Sequence, residues 1–279
     1  LTGVQARCRA KLGWIKSIQF RGKFHMTKLQ DVWAAGKSAA NGWLSLPGSH
    51  LAEVMAHQGW DALTIDLQHS SIDVAAAVPM LQAMAATDVM PIVRVPWNEP
   101  SVMMRVLDAG TYGIICPMVN SREDAENFVS ACRYPPDGMR SNGAYRGMIV
   151  GGSDYQKTAN GEIVTFAMIE TREGMANLKE IAETPGLDAL YIGPTDLAFS
   201  HGYPPVHNNF DGPVAELIAE IRVAAHAAGI KAGVHATSTE YAAKMMEDGF
   251  DLVTPTSDLR MIQAAAPDVL AGLSGVGGR

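Results

Sequence analysis

From residue 41 onward, the sequence alternates short apolar runs with amphipathic stretches of roughly 10 to 15 residues. Runs rich in Val, Ile and Leu that are followed by helical patterns are typical of βα units around a parallel sheet. The predicted strands are residues 42–46, 62–66, 91–95, 113–117, 165–170, 189–193, 232–235 and 252–255. Eight regularly spaced strands without a ninth favour a closed (β/α)8 barrel over an open doubly wound sheet.

The predicted helices lie between these strands, near residues 50–58, 73–86, 100–109, 121–132, 173–183, 213–228 and 238–248, with a last one from Asp258. Three strands follow a Gly-x-Asp turn in which the glycine ends the preceding helix. Two connections, 134–163 and 199–213, are unusually long, and such loops are usually functional or mobile. The second leaves the carboxyl end of a strand and is predicted on the catalytic face; the role of the first is left open.

The amino-terminal segment differs from the rest of the chain. Residues 1–25 carry six Lys and Arg residues, and the first acidic residue is Asp31. Such a segment could be a mitochondrial transit peptide, but it lacks serine enrichment. We favour a non-native or disordered leader with Met26 as the natural start. Residues 26–279 are therefore predicted to form one barrel domain.

Charge and cysteine content restrict the possible partners. The formal net charge is −7, whereas nucleic-acid binding needs a basic face that neutralises phosphates. No apolar run approaches the roughly 20 residues that cross a bilayer. The cysteines, Cys8, Cys116 and Cys132, form neither a CxxC pair nor a metal-binding spacing. We expect a cytoplasmic protein that acts on a small molecule, with no nucleic-acid or membrane partner.

Polar residues at the predicted strand ends form the candidate site, because (β/α)8 barrels build active sites there. These residues are Asp66, Gln68, His69, Arg94, Glu170, Asp196 and His235. Glu170 and Asp196 come from neighbouring strands, and two carboxylates suit a hard divalent ion such as Mg²⁺ or Mn²⁺. A general acid/base pair or a structural role is the alternative.

Arg94 ends an otherwise apolar strand, where a guanidinium is costly to bury without an anion. Its anion is either a substrate carboxylate or oxyanion, which we favour, or a protein carboxylate. His69 follows Asp66 by three residues, a spacing that allows the carboxylate to orient the imidazole as a general base. His235 is interpreted as part of the pocket wall.

The lysine positions argue against a Schiff-base mechanism, which needs a lysine that reaches the barrel mouth. Every lysine lies before the first strand, in the connection 134–163, on a helix or at the start of the seventh strand. Nucleophilic catalysis also lacks a candidate, because there is no GxSxG motif and Cys116 has no strand-end base beside it.

Six blocks of the sequence resemble the HpcH/HpaI family of class II, metal-dependent pyruvate aldolases. They are residues 65–69, 93–100, 107–110, 134–141, 169–173 and 191–197. The resemblance implies a TIM barrel of the phosphoenolpyruvate/pyruvate type. It also implies an enzyme that splits 4-hydroxy-2-oxo acids into pyruvate, by way of its enolate, and an aldehyde, with Mg²⁺, Mn²⁺ or Co²⁺ as cofactor.

The resemblance implies roles for single residues. Glu170 and Asp196 would bind the metal, His69 with Asp66 would act as the base, Arg94 would bind the enolate, and Asp108 would support catalysis. The residues expected to contact substrate are Trp43, Gln68, Arg94, Gly193, Pro194, Thr195 and Asp196. A homo-hexamer, a dimer of trimers that exchanges its last helix between subunits, is also implied.

Three departures from the family pattern leave the substrate open. Aldolases of the family often carry Glu in place of Gln68 and Gln in place of Met168, and residues 201–207 lack the usual ending. The aldehyde, and the balance between aldol cleavage and a macrophomate-synthase-like decarboxylation, stay open. A citrate-lyase-β or malyl-CoA-type lyase is a competing interpretation, as is a non-catalytic barrel that binds a 2-oxo acid.

Overall fold

The computed structural model describes residues 28–273, so the predicted leader at residues 1–25 lies outside the described part. The eight predicted strands and the helices that the sequence places between them are present, together with short helices that it did not predict. In chain order they are α1 (Leu29–Ala34), β1 (Ala39–Leu44), α2 (Ser49–Ala56), β2 (Ala62–Asp66), α3 (Val74–Met84), β3 (Met90–Arg94), α4 (Pro100–Asp108), β4 (Gly113–Cys116), α5 (Arg122–Cys132), α6 (Gly147–Gly151), α7 (Tyr155–Glu162), β5 (Val164–Ile169), α8 (Arg172–Ala176), α9 (Leu178–Ala182), β6 (Ala189–Ile192), α10 (Pro194–Ser200), α11 (Gly212–Ala227), β7 (Lys231–His235), α12 (Thr239–Glu247), β8 (Leu252–Thr254) and α13 (Asp258–Ala271).

The eight strands form one closed parallel barrel, which confirms the predicted (β/α)8 fold. Each strand pairs with the next one in sequence, and the barrel closes where Ala39 of β1 lies opposite Leu252 of β8. Every residue of β2 to β6 is buried, as expected for strands covered by side chains on one face and by helices on the other. The carboxyl ends of all eight strands therefore meet at one mouth.

The three Gly-x-Asp turns tie neighbouring strands together at the opposite end of the barrel. Gly59, Gly186 and Gly249 have φ values of 85°, 81° and 95°, a left-handed conformation that glycine adopts without strain. The aspartate carboxylates accept backbone N–H groups from the neighbouring strand: Asp61 from Ala40, Asp188 from Thr165, and Asp251 from Ala232. These turns serve the barrel's stability and lie away from its mouth.

The two long connections have different positions. Residues 134–163, predicted as a glycine-rich loop, contain α6 and α7. They pack at the amino-terminal end of the barrel, where Arg146 donates its backbone N–H to the Asp108 carbonyl. The connection after β6 begins with α10, which the sequence did not predict, and then runs without regular structure to α11. Only this second connection reaches the mouth.

None of the helices between residues 28 and 273 is both long and apolar enough to cross a membrane.

Candidate active site

A cavity of about 480 Å³ opens at the barrel mouth, within the usual size range for small-molecule sites. Strand residues that line it include Trp43, Asp66, Arg94, Met168 and His235. His69 and residues 193–196, which follow β2 and β6, complete this part of the wall. The structure therefore brings most of the predicted strand-end residues to one cavity.

Arg94 and Asp66 form a buried ion pair at the wall of this cavity. Arg94 donates from Nε to Asp66 Oδ1 at 2.9 Å and from Nη2 to Oδ2 at 2.6 Å. The two residues lie opposite each other in the register of β2 and β3 and are 9% and 2% exposed. Burial alone would raise the pKa of Asp66, but the Arg94 pair and two backbone N–H groups lower it. The bidentate pair holds the guanidinium in one orientation.

Arg94 still has a free donor that can reach a ligand. Its Nε and Nη2 are taken by Asp66, and Nη1 has no hydrogen-bond partner within residues 28–273. The guanidinium carbon lies 4.8 Å above the centre of the Trp43 ring, a cation–π contact that fixes it further. The prediction that substrate, and not a protein carboxylate, is the anion of Arg94 is thus wrong in part. A buried guanidinium needs a permanent counter-charge, and Asp66 supplies it.

Glu170 lies directly after β5 and is 2% exposed. Its Oε1 accepts the Met118 backbone N–H at 2.8 Å, and Met118 has a left-handed φ of 56°, which is uncommon for a non-glycine residue. No Lys, Arg or His side chain in the described chain forms an ion pair with Glu170. Burial first, and then the charge of Asp196, raise the pKa of Glu170 to about 7.

Gly193 leaves room for the Glu170 carboxylate. A Cβ atom at position 193 would lie 2.5 Å from Glu170 Oε2 and 2.5 Å from Met168 Cε. Both atoms end flexible side chains, so they could move aside without unfolding the barrel. The position of the carboxylate therefore depends on the missing side chain at Gly193.

We expect Gly193→Ala to lower kcat/KM by about 10²-fold, because a displacement of about 1 Å in a catalytic group has an effect of this size. The melting temperature should change little. Gly161→Ala is the matched control, since a Cβ at that helical position meets no atom within 4 Å. Full activity in Gly193→Ala would show that the Glu170 position is not critical.

Glu170 and Asp196 fit the predicted divalent cation. Asp196 is exposed and lines the cavity, and the two residues follow β5 and β6, which are paired. A buried carboxylate beside a second negative charge is unfavourable unless a cation binds, and the more distant charge of Arg94 compensates it only in part, since the pKa of Glu170 stays raised. No cluster of three or more His, Cys, Asp or Glu side chains suited to a metal occurs in residues 28–273. A cation here would take two carboxylates and complete its coordination with substrate and water oxygens, as Mg²⁺ commonly does.

Two of the three cavity histidines are not available as bases. Burial first, and then the charge of Arg94, lower the pKa of His235 to about 3, so its ring is neutral at physiological pH. His207 uses both ring nitrogens: Nδ1 lies 2.9 Å from Thr195 Oγ1 and Nε2 lies 3.1 Å from Arg260 Nη2.

His69 is the remaining histidine, and its ring is free. It is exposed at the cavity wall, and neither ring nitrogen has a hydrogen-bond partner among the described residues. The prediction that Asp66 orients this imidazole is wrong, because Asp66 Oδ1 instead accepts the His69 backbone N–H at 3.3 Å. The physical reason is the Arg94 guanidinium, a stronger partner that faces both oxygens of the carboxylate.

Three predicted residues, Glu170, Asp108 and Gln68, do not line the cavity. Glu170 lies behind Gly193, which does line it. Asp108 ends α4, which runs back to the amino-terminal end of the barrel, and there it pairs with Arg140 at 2.9 Å. It therefore cannot reach the cavity of its own chain. Gln68 donates its backbone N–H to Asp66, while its side-chain Oε1 is buried without a partner from residues 28–273.

The structure also adds residues that the strand-end pattern missed. Ser257, Arg260 and Gln263 line the cavity from the start of α13, directly after β8. His207 reaches it from the connection after α10. The strand-end pattern could also have identified the α13 residues, because they follow the carboxyl end of a strand.

Comparison with known proteins shows which family the chain is similar to. The family model for HpcH/HpaI aldolase/citrate lyase matches residues 41–265. A hydroxypyruvate/pyruvate aldolase of Rhizorhabdus wittichii is 44% identical, covering 88% of this chain and 98% of that protein. A 4-hydroxy-2-oxo-heptane-1,7-dioate aldolase of Salmonella dublin is 34% identical with coverage of 88% and 98%. The structure of an HpcH/HpaI aldolase/citrate lyase family protein from Burkholderia cenocepacia has a TM-score of 0.81 and 31% identity, covering 88% of this chain and 98% of that one.

Proposed function

Because the chain belongs to the HpcH/HpaI aldolase/citrate lyase family, we propose that it cleaves 4-hydroxy-2-oxo acids to pyruvate and an aldehyde, and catalyses the reverse condensation. The enzyme is a carbon–carbon lyase of the aldolase type. The observation that carries the proposal is the pair Glu170 and Asp196 beside a cavity that an immobilised Arg94 lines.

The reaction sets two requirements. In cleavage, the C4 hydroxyl loses its proton and the C3–C4 bond breaks. Its electron pair stays on C3 as the pyruvate enolate, and C4 becomes the aldehyde carbonyl. The enolate then takes up one proton at C3 to give pyruvate. The site must therefore accept a proton from the C4 hydroxyl and stabilise negative charge on the three-carbon fragment.

Glu170 and Asp196 would hold a divalent cation, Mg²⁺, Mn²⁺ or Co²⁺. When bound, such a cation polarises the keto oxygen and stabilises the charge of the enolate. The two carboxylates are unfavourable next to each other without a counter-charge, which the cation would supply. Gly193 leaves the space that the Glu170 carboxylate occupies.

Arg94 would stabilise the same negative charge. Its orientation is set by Asp66 and Trp43 before substrate binds, so little reorganisation is needed as charge develops. The remaining Nη1 donor is free to bind the keto or carboxylate oxygens of the 2-oxo acid.

His69 would take the proton from the C4 hydroxyl in cleavage and return it in condensation. It is the cavity histidine whose ring nitrogens stay free within the described chain. His207 has both ring nitrogens occupied, and the lowered pKa of His235 makes that ring a poor proton acceptor.

We predict that the affinity for Mg²⁺ falls as the pH is lowered below about 7, because Glu170 must lose its proton before it binds a cation. The expected slope is about tenfold per pH unit in that range, and the affinity should level off above it. Calorimetric titration with Mg²⁺ between about pH 6 and 8 measures this, and a pH-independent affinity would contradict it.

The raised pKa of Glu170 also affects the stability of the metal-free protein, which changes with pH in the direction opposite to the Mg²⁺ affinity. Folded Glu170 retains its proton between its ordinary pKa of 4.5 and about 7, where the unfolded chain has lost it. The contribution of this group to the free energy of unfolding therefore declines as the pH rises through that window.

The direct test of the function is pyruvate release from 4-hydroxy-2-oxo acids, together with condensation of pyruvate with a panel of aldehydes. We expect turnover with Mg²⁺, Mn²⁺ or Co²⁺ that stops when EDTA is added. Turnover insensitive to EDTA would refute the metal-dependent mechanism. Activity only with CoA esters would favour a citrate-lyase-type enzyme, and no turnover with any donor would favour a non-catalytic barrel.

We also propose that the protein is a homo-hexamer, a dimer of trimers. Helix α13 exposes apolar side chains, among them Ile262, Val269 and Leu270, and an apolar surface of this kind is typical of a face that a partner covers. Light scattering should give six chain masses, and a monomer would contradict the proposal.

A cytoplasmic location is proposed from the cysteines. Cys116 and Cys132 are buried and free, which fits a reducing compartment, while Cys8 lies outside the described residues. Cell fractionation tests this, and recovery in a membrane fraction would contradict it.

A further inference from the structure

A series of hydrogen-bonded side chains, here called the interior chain, crosses the barrel and ends at the cavity. The Asn41 amide oxygen lies 2.8 Å from Thr254 Oγ1. The Tyr191 hydroxyl lies 2.7 Å from the same Thr254 oxygen and 3.4 Å from His235 Nδ1. The four residues come from β1, β8, β6 and β7. The first three are fully buried, whereas His235 lines the cavity.

The orientation of the Asn41 amide sets the direction of these hydrogen bonds. One end of the amide lies 3.1 Å from the Gly42 carbonyl oxygen and 3.3 Å from the Ala62 carbonyl oxygen. Because both neighbours are acceptors only, this end is the NH₂ group. The amide oxygen therefore faces the Thr254 hydroxyl. At an oxygen–oxygen distance of 2.8 Å, Thr254 must donate its proton to the amide.

Each hydroxyl has a single proton, so the direction passes along the interior chain. Since Thr254 donates to Asn41, its oxygen accepts the hydrogen bond from Tyr191. Since Tyr191 donates to Thr254, its oxygen accepts from His235 Nδ1. Burial first, and then the charge of Arg94, lower the pKa of His235 to about 3, so the ring is neutral and carries one proton. His235 is therefore the Nδ1–H tautomer, and its Nε2 has a free lone pair.

His235 Nε2 faces the open cavity. It forms no hydrogen bond within residues 28–273 and remains accessible. The ring packs against Trp43, with centroids 4.8 Å apart and an interplanar angle of 82°. Trp43 also holds the Arg94 guanidinium 4.8 Å above its own ring centre. The imidazole is thus held between Trp43 and Tyr191, and its acceptor atom has a defined direction before a ligand binds.

We propose that the interior chain holds His235 in the Nδ1–H tautomer, so that Nε2 accepts a hydrogen bond from a substrate hydroxyl. The inference rests on the proposed function and adds a residue that distinguishes hydroxylated substrates from their deoxy counterparts. Asn41, Thr254 and Tyr191 are positioning residues that act through His235. His235 orients the hydroxyl without taking its proton, and proton transfer stays with His69.

A hydroxyl is the substrate group that fits this position. Carboxylate and keto oxygens are acceptors, so they would face the Nε2 lone pair with no proton between them. An apolar group would leave Nε2 desolvated and unpaired, which is unfavourable. A cationic group would be repelled by Arg94, whose charge disfavours a second positive charge at His235. The hydroxyl belongs either to the three-carbon fragment or to the aldehyde, and the two sources need separate measurements.

Neutron diffraction from crystals of the unmodified enzyme, exchanged into D₂O near neutral pH, reads the tautomer directly. We expect deuterium on His235 Nδ1 and none on Nε2. In Tyr191→Phe the Nδ1–H group loses its acceptor, and a buried donor without a partner is unfavourable, so deuterium should move at least in part to Nε2. Deuterium on Nε2 in the unmodified enzyme would overturn the proposal.

Two pairs of ligands test the contact with a hydroxyl. Hydroxypyruvate and pyruvate differ by one hydroxyl on the three-carbon fragment, and calorimetry with Mg²⁺ gives the ratio of their Kd values. Glycolaldehyde and acetaldehyde differ by one hydroxyl on the aldehyde, and condensation with pyruvate gives the ratio of their kcat/KM values. We expect His235→Phe to lower the preference for the hydroxylated member of one pair about 3- to 10-fold, the range for one hydrogen bond. Tyr191→Phe should lower the same ratio by a smaller factor.

Tyr241→Phe is the matched control, since Tyr241 is a fully buried tyrosine on α12 whose hydroxyl proton has no acceptor among the described residues. It should leave both ratios unchanged. Unchanged ratios for both pairs in His235→Phe would overturn the proposal.

The neutron and calorimetric measurements need no turnover, so they separate this proposal from the proposed function. Absence of aldol turnover in the unmodified enzyme would overturn the function alone. The effect of His235→Phe on the preference for hydroxypyruvate would then decide whether Nε2 accepts a substrate hydroxyl.

Discussion

Replacing Glu170 with glutamine is expected to lower kcat/KM for aldol cleavage on the order of 10³-fold, the effect of losing several kcal/mol of charge stabilisation. Glutamine keeps the size of the side chain and can keep the contact with the Met118 N–H, but it removes one of the two negative charges that would bind the cation. Steady-state kinetics at saturating Mg²⁺, with calorimetric titration of Mg²⁺, measures both consequences.

Glu173→Gln is the matched control, since it makes the same chemical change at an exposed position three residues away. It should keep full activity and full affinity for Mg²⁺. A Glu170→Gln variant that retains more than about one tenth of the activity, with unchanged Mg²⁺ affinity, would remove the carboxylate from the mechanism.

Replacing Arg94 with methionine is expected to have two separate effects. Activity should fall about 10²- to 10³-fold, as for the loss of one donor to a developing oxyanion. The free energy of unfolding should fall by about 3 kcal/mol, because Asp66 would be left as a buried carboxylate without its counter-charge. Arg94→Lys keeps the charge but cannot make both bonds to Asp66, so its stability should be intermediate.

A double variant separates the two effects. Adding Asp66→Asn to Arg94→Met removes the uncompensated charge and should restore most of the lost stability, since removing both members of a buried pair is often nearly neutral. Activity should stay low. Recovery of activity along with stability would mean that Arg94 acts only through folding, and denaturant unfolding with steady-state kinetics distinguishes the cases.

The fold could be predicted from the sequence because each unit carries its own local signals. The apolar runs around Ile65, Val93 and Ile192 mark strands, and the glycines at 59, 186 and 249 mark helix ends. Local patterns could not predict α6, α7 or α10, which are short and are stabilised by packing. Tyr155, for example, is fully buried in the long connection and its hydroxyl accepts a hydrogen bond from Arg140.

The sequence predicted most of the residues that line the site, but only in part which of them bond to one another. The position of each strand end indicates which side chains face the mouth, and this holds for Arg94, His69 and Asp196. Which of these bond to one another depends on register and distance. Asp66 is nearer to His69 in sequence, but β2 and β3 place it opposite Arg94.

Asp108 was predicted at the site but lies elsewhere, whereas Arg260 lies at the cavity but was not predicted. Asp108 belongs to a sequence block of the family, yet its helix carries it to the far end of its own barrel. A block match does not say which end of the fold a residue occupies. Arg260 lies outside the matched blocks but follows β8, so the same topological argument applied to the eighth strand could have identified it.

The most direct test is the anomalous scattering of crystals grown with Mn²⁺ and pyruvate. We expect one strong manganese peak about 2.1 Å from a carboxylate oxygen of Glu170 and of Asp196, with pyruvate oxygens completing the coordination and Arg94 within hydrogen-bond distance of the ligand. Pyruvate bound in the cavity with no manganese peak between the two carboxylates would contradict it.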